Sequence, residues 1–419
     1  MRVVGLITEY NPFHNGHKYH LEKSKEISRS NYSVAVMSGN FLQRGEPAIV
    51  DKWTRAKMAI DSGVDLVIEL PVVYACQSAE YFSYGSVKLL DSLGVVDSIV
   101  FGSESGDVKK INAIADILLK EPNNFKNYLK DYLSKGNTFP KSRTKALIKY
   151  ARNHLNSKLS TEDIEDIINS PNNILGIEYL KALKKINSKI VPYTIKRIGS
   201  DYHQEDITGK FSSATSIRKK IFEDGNLDTI KDIVPYHTYI HLNNFLNKYG
   251  SFNKTCNYND ILQYILINTD RKKLKEILDV EEGLENRILK CFNENNTIEG
   301  LINCIKTKRY TLTRIQRIIM HLLININEKI FSEFHKTGPL YIRVLGFNSK
   351  GIELLREAKK KAKLPIITNF SNYRKLKDHK INRMISFDKR ATDIYFLGLK
   401  NYNSEKKNLD FYTNPYIKK

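Results

Sequence analysis

The residues best suited to chemistry are ten consecutive positions near the N-terminus, Thr8 to His17, which read Thr-Glu-Tyr-Asn-Pro-Phe-His-Asn-Gly-His. They join a short apolar run to a segment with helical periodicity, where an open parallel sheet binds its ligands. His14 and His17 are predicted to face a helix N-terminus and to stabilise charge that develops on a phosphate group. Gly16 has no Cβ and is predicted to let a flat ring such as adenine approach the backbone. The short pattern alone also fits a loop with two polar histidines, but its position after the first strand favours a site.

A second group of hydroxyl and basic side chains lies at residues 211–220, which read Phe-Ser-Ser-Ala-Thr-Ser-Ile-Arg-Lys-Lys. Ser212 and Ser213 stand at the entry of a predicted helix, where hydroxyl groups either cap backbone N–H groups or bind phosphate oxygens. Arg218 lies one turn later and has the geometry to bind a phosphate through two parallel hydrogen bonds. By itself this segment fits an ordinary helix cap with a solvated basic face. Together with the histidine motif it favours phosphate binding.

A polar, charged segment, 43–55, lies between the second predicted strand and a helix. It contains Arg44, Lys52 and Arg55. These three cations either line the mouth of the predicted site or belong to a solvated helix face, and the sequence does not decide between the two.

The elements around these motifs alternate between short apolar runs and helical segments over the first 235 residues. This alternation predicts an α/β fold, a Rossmann-like domain with five parallel strands covered on both faces. The predicted strands are Val3–Thr8, Tyr32–Met37, Leu66–Leu70, Val96–Phe101 and Lys189–Ile198, with a helical insertion at about 107–187 before the last. A polar loop at 201–209 precedes another helix. Residues 236–419 are predicted to be mainly helical, with helical stretches at 274–292 and 312–330 and a small βαβ unit near 340–368.

Charge is distributed unevenly along the 419 residues, whose formal net charge is +21. Residues 1–240 hold 33 Lys+Arg and 28 Asp+Glu; of the totals of 67 and 46, residues 241–419 hold the other 34 and 18. A basic half of this kind concentrates a polyanion such as a nucleic acid. A lysine-rich proteome would also raise the charge, but the near balance of the first 240 residues argues against that explanation.

Composition further narrows the class of protein. No apolar run is long enough for a membrane span, and no secretory signal pattern begins the chain. The four cysteines, Cys76, Cys256, Cys291 and Cys304, lie far apart without a Cys-x-x-Cys pair and are predicted to be free thiols in a reducing compartment. These features predict a cytoplasmic protein without a bound structural metal.

Longer strings around the motifs resemble a known family. The His-x-Gly-His pattern with a downstream Ser-Ser…Arg motif is similar to the nucleotidyltransferase superfamily, which also includes the class I aminoacyl-tRNA synthetases. Five strings resemble the bacterial tRNA(Met) cytidine acetate ligases and extend over most of the chain. They are ITEYNPFHNGH at 7–17, SGNFLQRGEPAIVDKWTRAKMA at 38–59, IVFGSES at 99–105, SPNNILGIEYLKAL at 170–183 and RYTLTRIQRIIMHLLI at 309–324.

The resemblance implies that ATP and acetate form acetyl-adenylate, and that the acetyl group passes to N4 of the wobble cytidine of elongator tRNA(Met). It implies His14 and His17 as catalytic residues and Mg²⁺ arriving with ATP. The implied ATP-binding residues are Ile7, Thr8, Glu9, Tyr10, Asn11, Pro12, Phe13, His14, Asn15, Gly16, His17, Lys18, Tyr19, His20, Gly102, Asn172, Arg197, Ser212, Ser213 and Arg218. Whether Asn172 or Asn173 contacts the nucleotide stays open. Arg309, Arg314 and Arg317 have near-helical spacing and are predicted to bind tRNA phosphates, with Tyr310 beside them.

Two other functions remain compatible with the sequence. One is an enzyme of the same fold that adenylates a small molecule or activates acetate for a protein cofactor, with no need of tRNA. The other is a tRNA- or ribosome-binding factor without catalysis. The sequence does not give the oligomeric state or the walls of the acetate pocket.

Overall fold

A single mixed β-sheet runs through the protein and holds the predicted motifs at the carboxyl ends of its strands. The computed structural model describes residues 1–155, 159–197, 212–402 and 407–419. Its strands are β1 (Val3–Thr8), β2 (Tyr32–Ser38), β3 (Leu66–Leu70), β4 (Ser98–Ser103), β5 (Val191–Lys196), β6 (Ile342–Phe347), β7 (Ile366–Ile367) and β8 (Tyr416–Ile417). The α-helices are α1 (Asn15–Ile27), α2 (Lys52–Asp61), α3 (Val72–Ala75), α4 (Ala79–Ser92), α5 (Val108–Lys120), α6 (Asn123–Ser134), α7 (Phe139–His154), α8 (Thr161–Asn169), α9 (Pro171–Lys185), α10 (Ala214–Asp224), α11 (Tyr236–Tyr249), α12 (Asn259–Ile267), α13 (Arg271–Glu276), α14 (Leu284–Glu294), α15 (Ile298–Ile305), α16 (Leu312–Ile324), α17 (Glu328–Thr337), α18 (Ser349–Lys361), α19 (His379–Leu397) and α20 (Leu409–Tyr412).

The five N-terminal strands are parallel and lie side by side in the order β5-β4-β1-β2-β3. Their interior strands are buried because helices cover both faces, as the apolar runs predicted. The chain leaves β1 toward β2 and β3 on one side and returns to β4 and β5 on the other. The order therefore reverses between β1 and β4, which is where sheets of this kind bind ligands. The predicted five-stranded parallel sheet is confirmed, although Ile198 of the last predicted strand lies outside the described residues.

Three strands from the C-terminal part of the chain extend this same sheet. β6 pairs antiparallel with β3, and both β7 and β8 pair parallel with β6. The predicted βαβ unit is confirmed as β6, α18 and β7, but it is joined to the N-terminal strands and does not stand apart. Strands from both sides of residue 235 thus share one sheet, and the division into two domains there stays a prediction.

Two helical stretches that the sequence suggested were continuous are each interrupted. Residues 274–292 contain parts of α13 and α14, and Gly283, in the left-handed region with φ 89°, precedes α14. Residues 312–330 contain α16 and the start of α17, and Asn325, with φ 60°, ends α16. Asn325 stops α16 because the carbonyl of a left-handed residue no longer aligns with the helical ladder, whereas α13 ends where Ile277 turns extended. The loop predicted at 201–209 and Phe211 lie outside the described residues.

A buried network of charged side chains attaches the C-terminal segment to the sheet. Lys52 Nζ lies 2.8 Å from a carboxylate oxygen of Glu69 on β3 and 2.8 Å from one of Asp410 on α20. Arg343 on β6 contacts the same two carboxylates at 3.1 and 2.6 Å. All four residues are at most 3% exposed. Charges withdrawn from water in this way depend on one another, since removal of one leaves its partner uncompensated.

Lys52 and Arg55 therefore correct the sequence interpretation, because neither lines the site nor faces solvent. Both are fully buried. Arg55 donates to the carbonyl groups of Glu9, Ser38, Gly39 and Val50. It thus fixes the two loops that follow β1 and β2. Of the three cations in this segment, only Arg44 lines the cavity described below.

Cysteine pairing is a second correction. Cys291 on α14 and Cys304 on α15 form a disulfide, with Cα atoms 5.7 Å apart, whereas Cys76 and Cys256 are free. The prediction of four free thiols was wrong for this pair, because the packing of two successive helices brings the residues together and spacing alone does not reveal that. Within the described parts of the chain, no helix combines the length and apolar character needed to cross a membrane.

Candidate active site

The turn from β1 into α1 is held in an unusual conformation by buried side chains. Tyr10 has φ 50°, in the left-handed region that non-glycine residues seldom occupy, and the Asn11–Pro12 peptide bond is cis. Asn11 Oδ1 accepts the Ile49 N–H at 2.8 Å, and the carbonyl of Glu9 accepts from Arg55 Nη1 at 2.7 Å. A non-glycine residue with positive φ, such as Tyr10, persists where its surroundings over-determine it, and such residues cluster at functional sites.

The two motif histidines cap the helix that they begin. His14 is the N-cap of α1, and its Nδ1 accepts the Gly16 N–H at 3.1 Å. His17 Nδ1 accepts the His14 N–H at 3.3 Å, and the two rings are stacked with centroids 3.7 Å apart. Because each Nδ1 is an acceptor, the proton of each neutral ring is assigned to Nε2. Two backbone N–H groups at the start of α1 are thus bonded to the histidines, and each imidazole keeps one N–H donor.

The pKa values of these histidines are far below the ordinary value of 6.5. Burial lowers the pKa of His14 to about 3, with a further contribution from Arg197 and Arg218. Burial and then His14 lower the pKa of His17, and burial lowers that of His20 to about 4. Without a bound anion, the rings are therefore neutral donors at neutral pH. An incoming phosphate favours their charged forms and would raise these pKa values.

Gly16 also has a role that the sequence did not suggest. A Cβ added at this position would lie 2.9 Å from Cε1 and 3.0 Å from Nδ1 of the His14 ring. The position that a Cβ would take is thus occupied by an imidazole, whereas the approach of an adenine to the Gly16 backbone stays a prediction. Glycine is required here because any side chain would push His14 off its cap.

The second motif packs directly against the first. Arg218 on α10 donates from Nη1 to the carbonyl of Asn11 at 3.0 Å and forms an ion pair with Glu46 at 2.9 Å. Ser213 is the N-cap of α10 and accepts the Ser216 N–H at 3.0 Å, as the ordinary capping interpretation predicted. Ser212 is buried and lines the same cavity. Tertiary packing therefore unites two segments about 200 residues apart.

Asn172 and Asn173 have separate tasks. Asn172 lines the cavity, and its Nδ2 donates to Glu104 at 2.7 Å. Asn173 is fully buried, and its Oδ1 accepts the Ser105 N–H at 3.1 Å. Asn172 is thus the one available to a ligand, and Asn173 holds the loop after β4. Sequence alone left this choice open.

An apolar wall that sequence reasoning missed completes the cavity on the side of β4. It consists of Phe82, Phe101, Leu175, Tyr179 and Ile195. A Cβ at Gly176 would lie 2.5 Å from the Phe101 ring, so glycine lets α9 approach β4 closely. The sequence contained part of the information needed to predict this wall, because Leu175 and Tyr179 follow Asn172 at helical spacing. Flat aromatic and aliphatic groups of this kind suit a purine ring.

These parts enclose one cavity of about 330 Å³. Of the predicted site residues, it is lined by Ile7, Thr8, Glu9, Tyr10, Asn11, His14, Gly16, His17, Tyr19, His20, Gly102, Asn172, Arg197, Ser212, Ser213 and Arg218. Pro12, Phe13, Asn15 and Lys18 do not line it. Phe13 is buried beside the Tyr10 ring, and Asn15 Nδ2 donates to the Asp232 carbonyl. Further lining residues that had not been assigned to ATP are Gln43, Arg44, Glu46, Lys196, Ala214 and Thr215.

The predicted tRNA-binding arginines differ in exposure. The side chain of Arg309 is 69% exposed. Arg314 donates to the Asp279 carbonyl at 2.7 Å and pairs with Glu281, while Arg317 is 9% exposed and lies 3.4 Å from the Asp279 carboxylate. Arg314 and Arg317 thus hold the turn at 279–281, and Arg309 is the most accessible of the three. Their assignment to tRNA stays a prediction.

Helix α16 touches the loop that borders the cavity. A Cβ at Gly45, which has φ 80°, would lie 2.3 Å from the backbone nitrogen of Arg317. The loop residues on either side of Gly45, Arg44 and Glu46, line the cavity. Exposed basic residues, among them Arg309, therefore directly precede the helix that packs against this loop.

Comparison with known proteins finds relatives over the whole chain. The profile of the HIGH Nucleotidyl Transferase family matches residues 1–410. The tRNA(Met) cytidine acetate ligase of Thermoanaerobacter sp. (strain X514) is 52% identical over 418 residues, and that of Clostridium perfringens is 44% identical over 419; each alignment covers 100% of both chains. The crystal structure of Thermotoga maritima TmcAL bound with alpha-thio ATP is 37% identical, with a TM-score of 0.91, over 100% of this chain and 99% of that one.

Proposed function

Because the chain belongs to the HIGH nucleotidyl transferase family and, within it, to the tRNA(Met) cytidine acetate ligases, we propose that it acetylates tRNA with ATP and acetate. The observation that carries the proposal is the pair of Nε2–H donors on His14 and His17, which lie in one cavity with Arg218. ATP and acetate form acetyl-adenylate and pyrophosphate. The acetyl group then passes to N4 of the wobble cytidine of elongator tRNA(Met), and AMP leaves.

In the first step, the residues of the cavity bring two anions together. The apolar wall of Phe101, Leu175 and Tyr179 receives the adenine, which directs the phosphates toward the β1–α1 turn. The two Nε2–H groups donate to oxygens of the α-phosphate as charge develops there, and Arg197 offsets the repulsion between acetate and ATP. A donor that is already oriented costs no reorganisation when the reaction occurs.

Magnesium has no protein cage in the described part of the chain, where no group of three or more His, Cys, Asp and Glu side chains is placed to hold a metal ion. We therefore assign Mg²⁺ to the phosphates of ATP and derive no step through it.

The tRNA approaches from the side of α16. The exposed Arg309 and its neighbour Lys308 lie in the segment before that helix, whose residues Gln316 and Arg317 contact the loop that borders the cavity. A cytidine in an anticodon loop can unstack and enter an active site singly, while basic side chains hold the backbone phosphates.

A direct test incubates the purified protein with ATP, labelled acetate and bulk tRNA, followed by mass analysis of the tRNA nucleosides. N4-acetylcytidine is the expected product. His17→Ala should abolish acetate-dependent pyrophosphate release and leave tRNA affinity within about threefold, since His17 contacts the nucleotide and not the RNA. The control is His237→Ala, which removes an exposed histidine on α11.

Two outcomes would contradict the proposal. Acetate-dependent pyrophosphate release without acetylated tRNA would indicate an enzyme that acts on a small molecule or a protein cofactor. Binding of tRNA without pyrophosphate release, under conditions in which the protein is folded and ATP is saturating, would indicate a non-catalytic RNA-binding factor.

A further inference from the structure

Glu9 is the first residue after β1, and it lines the same cavity as His14 and His17. Glu9 Oε1 accepts the Gln43 N–H at 2.8 Å, and its carbonyl oxygen accepts from Arg55 Nη1 at 2.7 Å. Both the backbone and the side chain of Glu9 are therefore held in place. A carboxylate fixed in this way is oriented before a substrate arrives.

The charges around Glu9 distinguish it from the other carboxylate in the cavity. Glu46 is neutralised by its ion pair with Arg218. For Glu9, in contrast, the described residues provide no lysine or arginine nitrogen within ion-pair distance. A carboxylate without such a partner among the described residues does not assist phosphate binding, because the two anions repel each other. A fixed carboxylate in an anion-binding cavity therefore calls for a different role.

The histidines of the cavity are poorly suited to accept a proton. Nδ1 of His14 and Nδ1 of His17 already accept backbone N–H groups, so the remaining nitrogen of each ring carries its proton. The pKa of His20 is lowered to about 4, chiefly by burial, which makes its ring a weak base at neutral pH. Among the described lining residues, this leaves Glu9 as the best available acceptor.

Acyl transfer to a cytosine amine requires such an acceptor. The amine nitrogen forms a bond to the acetyl carbon, the bond from that carbon to the phosphate oxygen breaks, and AMP departs with the bonding electrons. The nitrogen must also lose one proton for the neutral amide to form. A positioned general base contributes about 10²–10⁴-fold to a step of this type.

We propose that the Glu9 carboxylate takes the proton from N4 of the cytidine as that nitrogen attacks the acetyl group. The proposal rests on the proposed function, because it concerns the second half of that reaction. Burial raises the pKa of Glu9 above its ordinary value of 4.5. The Gln43 N–H, Arg44 and Arg218 oppose this rise, and Glu46 adds to it. A raised pKa makes the carboxylate a stronger base while it remains ionised above that value.

The test separates the two half-reactions in Glu9→Gln, which keeps the shape of the side chain and the acceptor for the Gln43 N–H. The first assay is acetate-dependent exchange of pyrophosphate into ATP. The second is single-turnover transfer of labelled acetate to an elongator tRNA(Met) transcript. We expect transfer to slow by about 100-fold or more beyond any loss of exchange, which the substitution also affects because Glu9 lines the ATP cavity.

The pH profile of transfer provides a readout that a structural role would not move. The wild-type rate should rise with pH through the pKa of Glu9 and then level off, and Glu9→Gln should lose this rise. Glu9→Asp, which retains a carboxylate, should recover part of the rate. Glu46→Gln should alter the KM for ATP through Arg218 and retain the rise of transfer with pH.

Three results would overturn the inference. They are transfer by Glu9→Gln within about threefold of wild type, equal losses in both half-reactions, and an unchanged pH profile in the variant. Failure of the proposed function would look different, because wild-type protein would then release no pyrophosphate with acetate or would leave the tRNA unacetylated.

Discussion

Replacement of Gly16 by alanine should separate activity from stability. Gly16 occupies the first turn of α1, and its amide hydrogen bonds to Nδ1 of His14. An added methyl group would lie 2.9 Å from the Cε1 atom of that ring. The added methyl group is fixed to the backbone of the first helical turn, so the His14 ring has to move away.

Two opposing contributions set the expected change in the free energy of unfolding. Alanine in place of glycine inside a helix stabilises by about 0.8–1 kcal/mol. Displacement of the His14 ring removes an N-cap hydrogen bond, which destabilises by about 1 kcal/mol. The two nearly cancel, so the free energy of unfolding should stay within about 1 kcal/mol of wild type.

Activity has no such compensation. The shifted ring no longer directs its Nε2–H at the α-phosphate, and loss of one oriented donor lowers the rate by about 10²–10³-fold. Acetate-dependent pyrophosphate exchange measures this loss, and urea unfolding measures stability. Glu22→Ala, at an exposed position on the same helix, serves as the control for helix propensity.

Either of two results would refute this reasoning. Exchange within threefold of wild type in Gly16→Ala would show that the position of His14 does not matter for adenylation. A fall in stability of more than about 3 kcal/mol would exceed the loss of a cap and would show that the ring cannot move aside.

Three further predictions follow from buried and exposed charges. Lys52→Met should lower the free energy of unfolding by about 3–5 kcal/mol in urea, because two buried carboxylates lose a partner; a change below 1 kcal/mol would contradict it. The ligand-free protein should lose stability as pH falls from 6.5 toward 4, because the unfolded chain then binds protons that native His14 and His20 exclude. At pH 5 each histidine should lower the free energy of unfolding by about 2 kcal/mol. A flat thermal-unfolding profile over this range would rule it out. Arg309→Glu should weaken tRNA binding and reduce the slope of log affinity against log salt by about 1 or more, whereas equal slopes would remove Arg309 from the interface.

The local motifs of the site could be predicted from the sequence better than the packing of side chains around them. The histidine motif and its place between β1 and α1 were predicted, and the Ser213 cap of α10 was one of two interpretations, because each depends on residues within about one helical turn. The reason for Gly16 was not predicted, since the position of the His14 ring above it depends on rotamer and cap geometry.

By itself, the sequence determined the elements whose patterns are local: the five parallel strands, the helix that follows the first of them, and the segment that caps it. Only the tertiary structure decided which distant residues meet. It joined Arg218 to the Asn11 carbonyl, buried Lys52 between β3 and α20, added β6 to the edge of the sheet and paired Cys291 with Cys304. The physical reason is that hydrophobic periodicity reports which face of an element is buried, but not which other element covers it.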